Sequence, residues 1–242
     1  GLGPIDTAMN VALPEFDGRL ISVPISFKEE SESAPRRGLD AKLQQYLPLE
    51  DRVDLVARLA VKWANLRLRS NAEKRIAIVL SNYPTKDGRI GNAVGLDTPA
   101  SVIHILNALK KAGYRVEDIP ESGDALIHSI IERCSNDADS LTEDQLRLAV
   151  GHVSAAEYGR RFDGFPTKVQ DELKEAWGDP PGTVYRTGDK LAIAGIQLGN
   201  IFVGVQPPRG FGENPIAIYH SPDLAPTHHY LAYYHWVREI FK

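Results

Sequence analysis

The sequence has 242 residues, of which 43% are hydrophobic and 25% charged, and its formal net charge is -4 at pH 7. A chain of this length buries roughly 70 to 75% of its unfolded surface, enough for one large domain or a domain with a packed appendage. This composition is typical of a folded globular protein, and its slightly acidic balance indicates no surface for nucleic acid. The single cysteine, Cys134, excludes an internal disulfide and favours a reducing compartment, so we expect a cytoplasmic protein.

No apolar run approaches the roughly 18 residues that a membrane-spanning helix requires, and the first ten residues lack the pattern of an export signal. We therefore expect no membrane association. The sequence starts without an initiator methionine and stops within an amphipathic helical pattern. Both features predict an internal segment of a longer polypeptide.

Residues 1–70 are predicted to form an N-terminal segment of strand, loop and helix. The strand is expected at Leu20–Phe27, and the polar run after it predicts a loop at Lys28–Gly38. Pro48, followed by acidic residues, marks a helix start, and apolar residues then recur at helical spacing up to about Leu68. We expect one face of this helix to pack on the core.

The next segment predicts a β-loop-α-β unit. The run Arg75–Ser81 is β-branched and apolar throughout, which indicates a central parallel strand covered on both faces. A glycine-bearing loop follows, then a helix over Pro99–Lys111 that ends at Gly113, and a second strand over Tyr114–Pro120.

The remainder of residues 71–242 predicts a helical insertion at about 141–179, followed by a β-hairpin over Lys190–Gln206 that turns at Leu198, Gly199 and Asn200. A short strand at Ile216–Tyr219 and a final helix from about Pro226 to Phe241 complete the pattern. The predicted fold class is α/β, with a mostly parallel β-α-β core, a helical insertion and a hairpin, as a fragment of a larger multidomain subunit.

Glycines Gly88, Gly91 and Gly95 follow a buried strand and precede a helix, so their loop is a candidate anion site. The alternative is that they only permit a tight turn. The loop has neither the dinucleotide-binding pattern nor the Gly-Lys-Ser/Thr of a P-loop, so we expect no ATP hydrolysis by this chain. Ligands of open α/β sheets bind at the carboxyl ends of strands, which makes four residues candidates for binding: Asn82, Tyr83, Lys86 and Arg89.

Four of the seven histidines lie in the last 23 residues. On a helix that starts near Pro226, His228, His235 and Glu239 share one face. Imidazole there could ligate divalent cobalt, zinc or nickel, and a nearby carboxylate could accept protons that metal binding releases. The alternative is that these side chains pack an amphipathic helix. Arg209, held between Pro208 and Gly210, could pair with a substrate carboxylate or be a solvated loop residue.

Three ordered segments resemble the large subunits of cobaltochelatase and magnesium chelatase. They are VALPEFDGRL near the start, RIAIVLSNYPTKDGRIGNAVGLDTPASVIHILNALKKAGY in the middle, and VQPPRGFGENPIAIYHSPDLAPTHHYLAYYHWVRE at the end. The motif matches extend to Asn82, Tyr83, Pro84, Arg209, His228 and Glu239. The sequence departs from many relatives at His229–Tyr230 and at Asn214.

The resemblance implies a subunit that holds the tetrapyrrole and the metal while Mg-ATP is hydrolysed by a separate AAA+ subunit acting with an integrin-like subunit. Residues 6–29 look closer to cobaltochelatase, which implies insertion of Co²⁺ into hydrogenobyrinic acid a,c-diamide in cobalamin biosynthesis. The alternatives are the magnesium branch, which acts on protoporphyrin IX, a non-catalytic interaction domain that docks through residues 142–177, and an unrelated anion-binding module. Substrate binding is then expected at Asn82, Tyr83, Arg89, Arg209 and His228, and metal binding at His228, His235 and Glu239, with no other cofactor on this chain and catalytic residues unassigned.

Overall fold

A computed structural model describes residues 3–30, 44–82, 86–210 and 224–241. The chain divides into two compact units, Gly1–Arg69 and Ser70–Lys242. Helices and strands are both present, and the predicted α/β fold class is confirmed. The predicted strand at Ile216–Tyr219 lies outside the described residues.

The N-terminal unit contains a short helical run, a two-stranded antiparallel ribbon and one long helix. The helical run consists of Pro4–Thr7, a π-helical stretch Ala8–Ala12, and Leu13–Phe16. The ribbon pairs β1 (Ser26–Glu30) with β2 (Gln44–Pro48), and the helix α1 spans Glu50–Leu68.

Two predictions for this unit need correction. The first strand begins at Ser26 rather than Leu20, so Lys28–Glu30 lie in β1 instead of a loop. The helix has its predicted bounds, but no residue of it is buried, and Trp63 is half exposed. A two-stranded ribbon offers too small an apolar surface to bury a helix of this length.

The C-terminal unit holds six helices and six strands among its described residues. In chain order these are β3 (Ile76–Leu80), α2 (Thr98–Lys111), α3 (Gly123–Arg133), α4 (Glu143–Arg147), β4 (Gly151–Ser154), α5 (Ala155–Phe162), α6 (Thr167–Trp177), β5 (Arg186–Thr187), β6 (Lys190–Ile193), β7 (Gly195–Leu198), β8 (Ile201–Val205) and α7 (His228–Ile240). Single 3₁₀ turns occur at Asn71–Glu73 and Asp87–Arg89.

Two small sheets organise this unit. The first has the strand order β3-β8-β7, with β3 parallel and β7 antiparallel to β8. The second has the order β4-β6-β5 and is antiparallel. The central strand is therefore β8, whose five residues are all buried, and not Arg75–Ser81 as the sequence suggested. In the described sheet β3 pairs only with β8, so it lies at an edge and most of its residues are half-buried.

Alternate residues of β8 face two different cores. Ile201, Val203 and Val205 pack with α2 and α3, whereas Phe202 faces the opposite core with Tyr233 of α7. Gly204 also points to the second side, where the ring of Phe202 and the hydroxyl of Tyr233 leave no room for a Cβ. This strand thus holds the layers of the unit together.

The connections around β8 differ from prediction in two places. Residues 114–120 are not a strand, so the partner that completes the β-loop-α-β unit is β8, far along the chain. The apolar run from Lys190 splits at Ala194 into β6 and β7, which belong to different sheets, while the predicted hairpin turn at Gly199 is confirmed with a φ of 64°. The insertion is mainly helical, as predicted, but it also contains β4. Among the described residues no helix is both long and apolar enough to cross a membrane.

We expect Gly204→Ala to destabilise the C-terminal unit by about 1–3 kcal/mol, because the added methyl group overlaps the Phe202 ring and the Tyr233 hydroxyl. Urea denaturation followed by far-UV circular dichroism measures this difference. Gly159→Ala is the matched control, since it lies in α5 with open space around it and alanine is the better helix former. Equal destabilisation by the two substitutions would contradict the packing argument.

Candidate functional site

The two parallel strands end side by side. Leu80 of β3 is paired with Val205 of β8, and the amide of Gln206 donates a hydrogen bond to the Leu80 carbonyl at 2.8 Å. The loops that follow both strands therefore leave the sheet at one edge. We call this region the carboxyl-edge site and define it as residues 81–82, 86–91, 134–140, 206–210 and 227–230.

The glycine-bearing loop after β3 is folded back on itself. Asn82 forms a β-bridge with Ile90, and the Gly91 amide donates to the Ser81 carbonyl at 2.7 Å. Gly91 has a φ of 72°, and a Cβ there would come within 3.2 Å of Thr98 Cγ2. The first turn of α2 is already capped by Asp97, whose carboxylate accepts a hydrogen bond from the Ala100 amide at 3.0 Å. The structure thus favours the tight-turn interpretation of these glycines over an anion cradle.

Ion pairs and hydrogen bonds connect this loop to the loop after α3. Lys86 forms ion pairs with Asp139 and, at 3.3 Å, with Asp137. The Asp87 amide donates to Asp137 Oδ2 at 3.2 Å, and Ser140 Oγ donates to Asp87 Oδ2 at 2.9 Å. The hydrogen bonds that Lys86 donates to Asp139 and, to a smaller extent, to Asp137 raise the pKa of Lys86. Because these carboxylates pair with its charge, Lys86 connects the two loops in this structure.

Buried polar groups connect the loop after α3 to β8. The Asn136 side chain donates to the Val205 carbonyl at 3.0 Å, and the Tyr185 hydroxyl donates to the Asn136 carbonyl at 2.6 Å. Tyr185 has a φ of 54°, which is unfavourable for a bulky residue, and its ring stacks on His229 with a centroid distance of 4.5 Å. This chain of contacts joins the start of α7 to the end of β8.

Both ring nitrogens of His228 are engaged within the protein. Nε2 lies 2.9 Å from the Gly178 carbonyl, which can only accept, so Nε2 carries the proton. Nδ1 therefore accepts from the Tyr158 hydroxyl at 2.8 Å. Burial lowers the pKa of His228 and raises that of Tyr158, so both groups are neutral at pH 7.

His229 retains an unused lone pair. Its Nε2 donates to the Ala192 carbonyl at 2.7 Å, while Nδ1 is buried without a hydrogen-bond partner. Burial lowers the pKa of His229 to about 4, an effect that the Ala192 bond only partly opposes. A small cavity of about 70 Å³ lies against this residue and is lined by Trp177, Pro181, Gly182, Thr183, Val184, Thr227, His228 and His229.

Of the proposed metal ligands, His228 and Glu239 are bonded to other groups, whereas His235 Nε2 is buried without a hydrogen bond. His235 Nε2 lies 3.5 Å from Glu157, and Glu239 pairs with Arg161 at 2.9 Å. Within the described ranges, no group of three or more histidine, cysteine, aspartate or glutamate side chains could hold a metal ion. A metal role for His228, His235 and Glu239 would require His228 to exchange its present bonds, so it stays a prediction.

The other predicted binding residues differ in their surroundings. Asn82 is 4% exposed, Arg209 is half-buried, and Arg89 is exposed in the 3₁₀ turn. No partner for the Arg209 guanidinium is found in the part of the chain that the structure describes, whereas the neighbouring Pro208 carbonyl accepts from Thr227 at 3.3 Å. Tyr83 and Pro84 lie outside the described residues. Asn82 and Arg209 thus follow the ends of the paired strands β3 and β8, whereas the His228 ring is bonded to Tyr158 and Gly178, and a shared binding role for the three stays a prediction.

Several residues in this site or in contact with it were not singled out by the sequence. Asn136 and Asp137 directly follow α3, where a polar run after an apolar helix could have indicated a buried polar loop. His229 was set aside in favour of His228, although adjacent histidines at a helix start give no indication of which one has an unused nitrogen. Tyr185 gave no signal, because its role depends on an unusual backbone angle.

The fold and site define an α/β chain with buried polar groups that are incompletely paired at the carboxyl edge of its parallel strands. The family model described as CobN/Magnesium Chelatase matches residues 1–242. The chain therefore belongs to the CobN/magnesium chelatase family, as the motif resemblance suggested.

Individual relatives agree with this assignment. The chain is 45% identical over 243 residues to the aerobic cobaltochelatase subunit CobN of Pseudomonas aeruginosa and 34% identical over 242 residues to the chloroplastic magnesium-chelatase subunit ChlH of rice. Each match covers the whole chain but only 19% and 16% of the relative. The catalytic subunit of cobaltochelatase from Mycobacterium tuberculosis superposes with a TM-score of 0.77 and 46% identity, over 98% of this chain and 19% of that one. The chain thus spans about a fifth of the length of these cobaltochelatase relatives.

Acidification should destabilise the fold through His229. Its folded pKa of about 4 lies below the ordinary value of 6.5, so between these values the unfolded chain binds a proton that the folded chain does not. This contribution to stability is complete above about pH 6.5 and is lost as the pH falls towards 4, amounting to about 2 kcal/mol between pH 7 and pH 5.

Urea denaturation of the wild type and of His229→Gln at both pH values measures this contribution. The variant should lose about 2 kcal/mol less on acidification than the wild type, whatever its stability at pH 7. His104→Gln, on the exposed side of α2, is the control and should keep the wild-type pH dependence. An unchanged pH dependence in His229→Gln would show that His229 is not the titrating group.

Proposed function

We propose that this chain forms part of the tetrapyrrole-binding subunit of a cobaltochelatase, and that its carboxyl-edge site contacts the ring. The observation that carries the proposal is Arg209, a half-buried guanidinium with no partner among the described residues, on a loop held by Pro208 and Thr227. Corrinoid precursors carry carboxylates around the ring, and a guanidinium is the group best suited to bind a carboxylate with two parallel hydrogen bonds.

The cobalt branch is supported by sequence identity. The chain is 45% identical to the P. aeruginosa subunit and 46% identical to the M. tuberculosis structure, but 34% identical to the rice magnesium-chelatase subunit and 32% identical to that of Rhodobacter capsulatus. We therefore infer that Co²⁺ is the metal substrate and that hydrogenobyrinic acid a,c-diamide is the ring. Magnesium insertion into protoporphyrin IX is the alternative outcome.

We assign ATP hydrolysis to partner proteins, an AAA+ ATPase and an integrin-like subunit. The glycine loop lacks the P-loop pattern, and its lysine, Lys86, is engaged by Asp137 and Asp139 instead of being available for phosphates. The cap that Asp97 provides to α2 also places a carboxylate where a nucleotide phosphate would bind in a P-loop protein. These features support a model in which partner proteins hydrolyse ATP and this chain contributes residues that line the ring site.

A chimera tests the proposed function. Residues 1–242 would replace the matching segment of the P. aeruginosa subunit, and Co²⁺ insertion would be measured with that organism's partner subunits, ATP and the a,c-diamide ring. We expect the chimera to insert cobalt and to bind the ring, as followed by quenching of the ring's fluorescence. A folded chimera that assembles with its partners but binds neither this ring nor protoporphyrin IX would favour a pure interaction domain and overturn the proposal.

Arg209→Ala in the chimera should weaken ring binding about 10-fold to 100-fold, the effect of losing a charge-assisted hydrogen-bond pair. Arg209→Lys should recover only part of the loss, because an ammonium cannot make two parallel bonds to one carboxylate. The measurement is the dissociation constant from fluorescence titration. Arg160→Ala, on the exposed surface of α5, is the matched control and should bind normally. Equal affinity in Arg209→Ala and the control would exclude Arg209 from the ring site.

A further inference from the structure

The Asn82 side chain is the most conspicuous unsatisfied group of the carboxyl-edge site. Its side-chain oxygen and nitrogen are both buried and without a hydrogen-bond partner. Among the residues that the structure describes, Asn82 alone has two such atoms, and 4% of its surface is exposed to solvent. Because the amide lacks both an acceptor for its N–H groups and a donor for its oxygen, the deficit is the same whichever way the amide is turned.

Several neighbouring polar groups are satisfied, although Asp87 Oδ1, Thr98 Oγ1 and His229 Nδ1 also lack a hydrogen-bond partner. Asn136 donates to the Val205 carbonyl, and Thr227 donates to the Pro208 carbonyl. Asp137 accepts from Lys86 and from the Asp87 amide. A buried amide that is left unpaired destabilises a fold, so natural structures rarely retain one without a ligand, water or functional constraint. The location of Asn82, two residues beyond the end of β3, is where ligands of such sheets bind.

The chemistry of the missing partner follows from the two unpaired atoms. A primary amide offers one acceptor and one donor in the same plane, so it can satisfy both atoms of Asn82 in a cyclic pair of hydrogen bonds. A carboxylate offers only acceptors and would leave the Asn82 oxygen unpaired. We propose that Asn82 recognises a primary amide on the rim of the ring substrate and thereby selects an amidated ring over its carboxylate precursor.

This inference rests on the proposed function, and it deepens that proposal by naming the group on the ring that Asn82 recognises. Arg209 and Asn82 then have complementary tasks, since a guanidinium binds carboxylates and an amide binds amides. Lys86 does not disturb this selection, because its charge is engaged by Asp137 and Asp139. Asn82 is almost fully shielded from solvent, so the ring amide reaches it only when neighbouring segments shift, and binding is coupled to a local rearrangement.

The experiment compares two rings, hydrogenobyrinic acid and its a,c-diamide, which differ by two amides in place of two carboxyl groups. Dissociation constants are measured by fluorescence quenching for the chimera with the wild-type segment, Asn82→Ala and Asn82→Asp. The wild type should bind the diamide about 10-fold or more tightly than the acid, because a site built for a hydrogen-bonding group rejects an analogue that leaves it unpaired. Asn82→Ala should reduce this ratio to about 1 to 3. Asn82→Asp should keep or raise it, because a carboxylate accepts hydrogen bonds from a ring amide and repels a ring carboxylate.

Asn107→Ala is the matched control, since this asparagine lies on the exposed side of α2 and its amide donates to Ile103 within the same helix. It should keep the wild-type preference. The melting temperature without ring gives an independent test. Asn82→Ala should be at least as stable as the wild type, because it removes an unpaired buried amide, whereas an amide satisfied by structural water would make the variant less stable.

Each outcome has a separate meaning. If neither ring binds the folded wild-type chimera, the proposed function fails. If both rings bind the wild type with equal affinity, or if Asn82→Ala retains the preference, ring binding stands and the role of Asn82 is overturned. A loss of the preference in Asn82→Ala, with unchanged preference in Asn107→Ala and no loss of thermal stability, supports the inference.

Discussion

The parallel pairing of β3 with β8 is the constraint on which the rest of the C-terminal unit depends. Residues 81–200 lie between the two strands, yet their last residues, Leu80 and Val205, are paired in register. Burial of all five β8 residues drives this pairing, because an unpaired backbone in that position would leave its amides and carbonyls unsatisfied. The same register brings the loops after both strands together, so the candidate site is a consequence of the sheet and does not need a separate device to assemble it.

Much of this fold could be predicted from local sequence, and the predictions that were wrong share one cause. The helices α1 and α2 have almost their predicted bounds, because periodicity and capping residues act over a few residues. Strand order was harder to predict from the sequence. Both Ile76–Leu80 and Ile201–Val205 are short apolar runs, and only long-range pairing decides which of them is the central strand. The same holds for residues 190–198, where a hydrophobic run gave no indication that Gly195, with a φ of 139°, lets the chain pass from one sheet to the other.

The candidate site was predictable at the level of segments but not of atoms. Position at a strand end and loop composition identified Asn82 and Arg209, and neither depends on knowing a hydrogen-bond partner. The histidines show the limit of this approach. His228 was selected for its place on a helix face, yet Tyr158 and Gly178, which are distant in sequence, occupy both its nitrogens. His229, one residue later, has the unused nitrogen because its ring turns towards Ala192.

Satisfied and unsatisfied buried polar groups carry different information about function. A paired histidine such as His228 contributes to the fold through bonds that a ligand would first have to break. An unpaired amide such as that of Asn82 costs stability in the ligand-free chain, on the order of 1–3 kcal/mol for an unsatisfied group. A ligand that supplies the missing donor and acceptor recovers this cost on binding, and one that supplies only half of them recovers less. On the proposed function, the deficit at Asn82 that weakens the fold also gives this residue the means to discriminate between chemically similar rings.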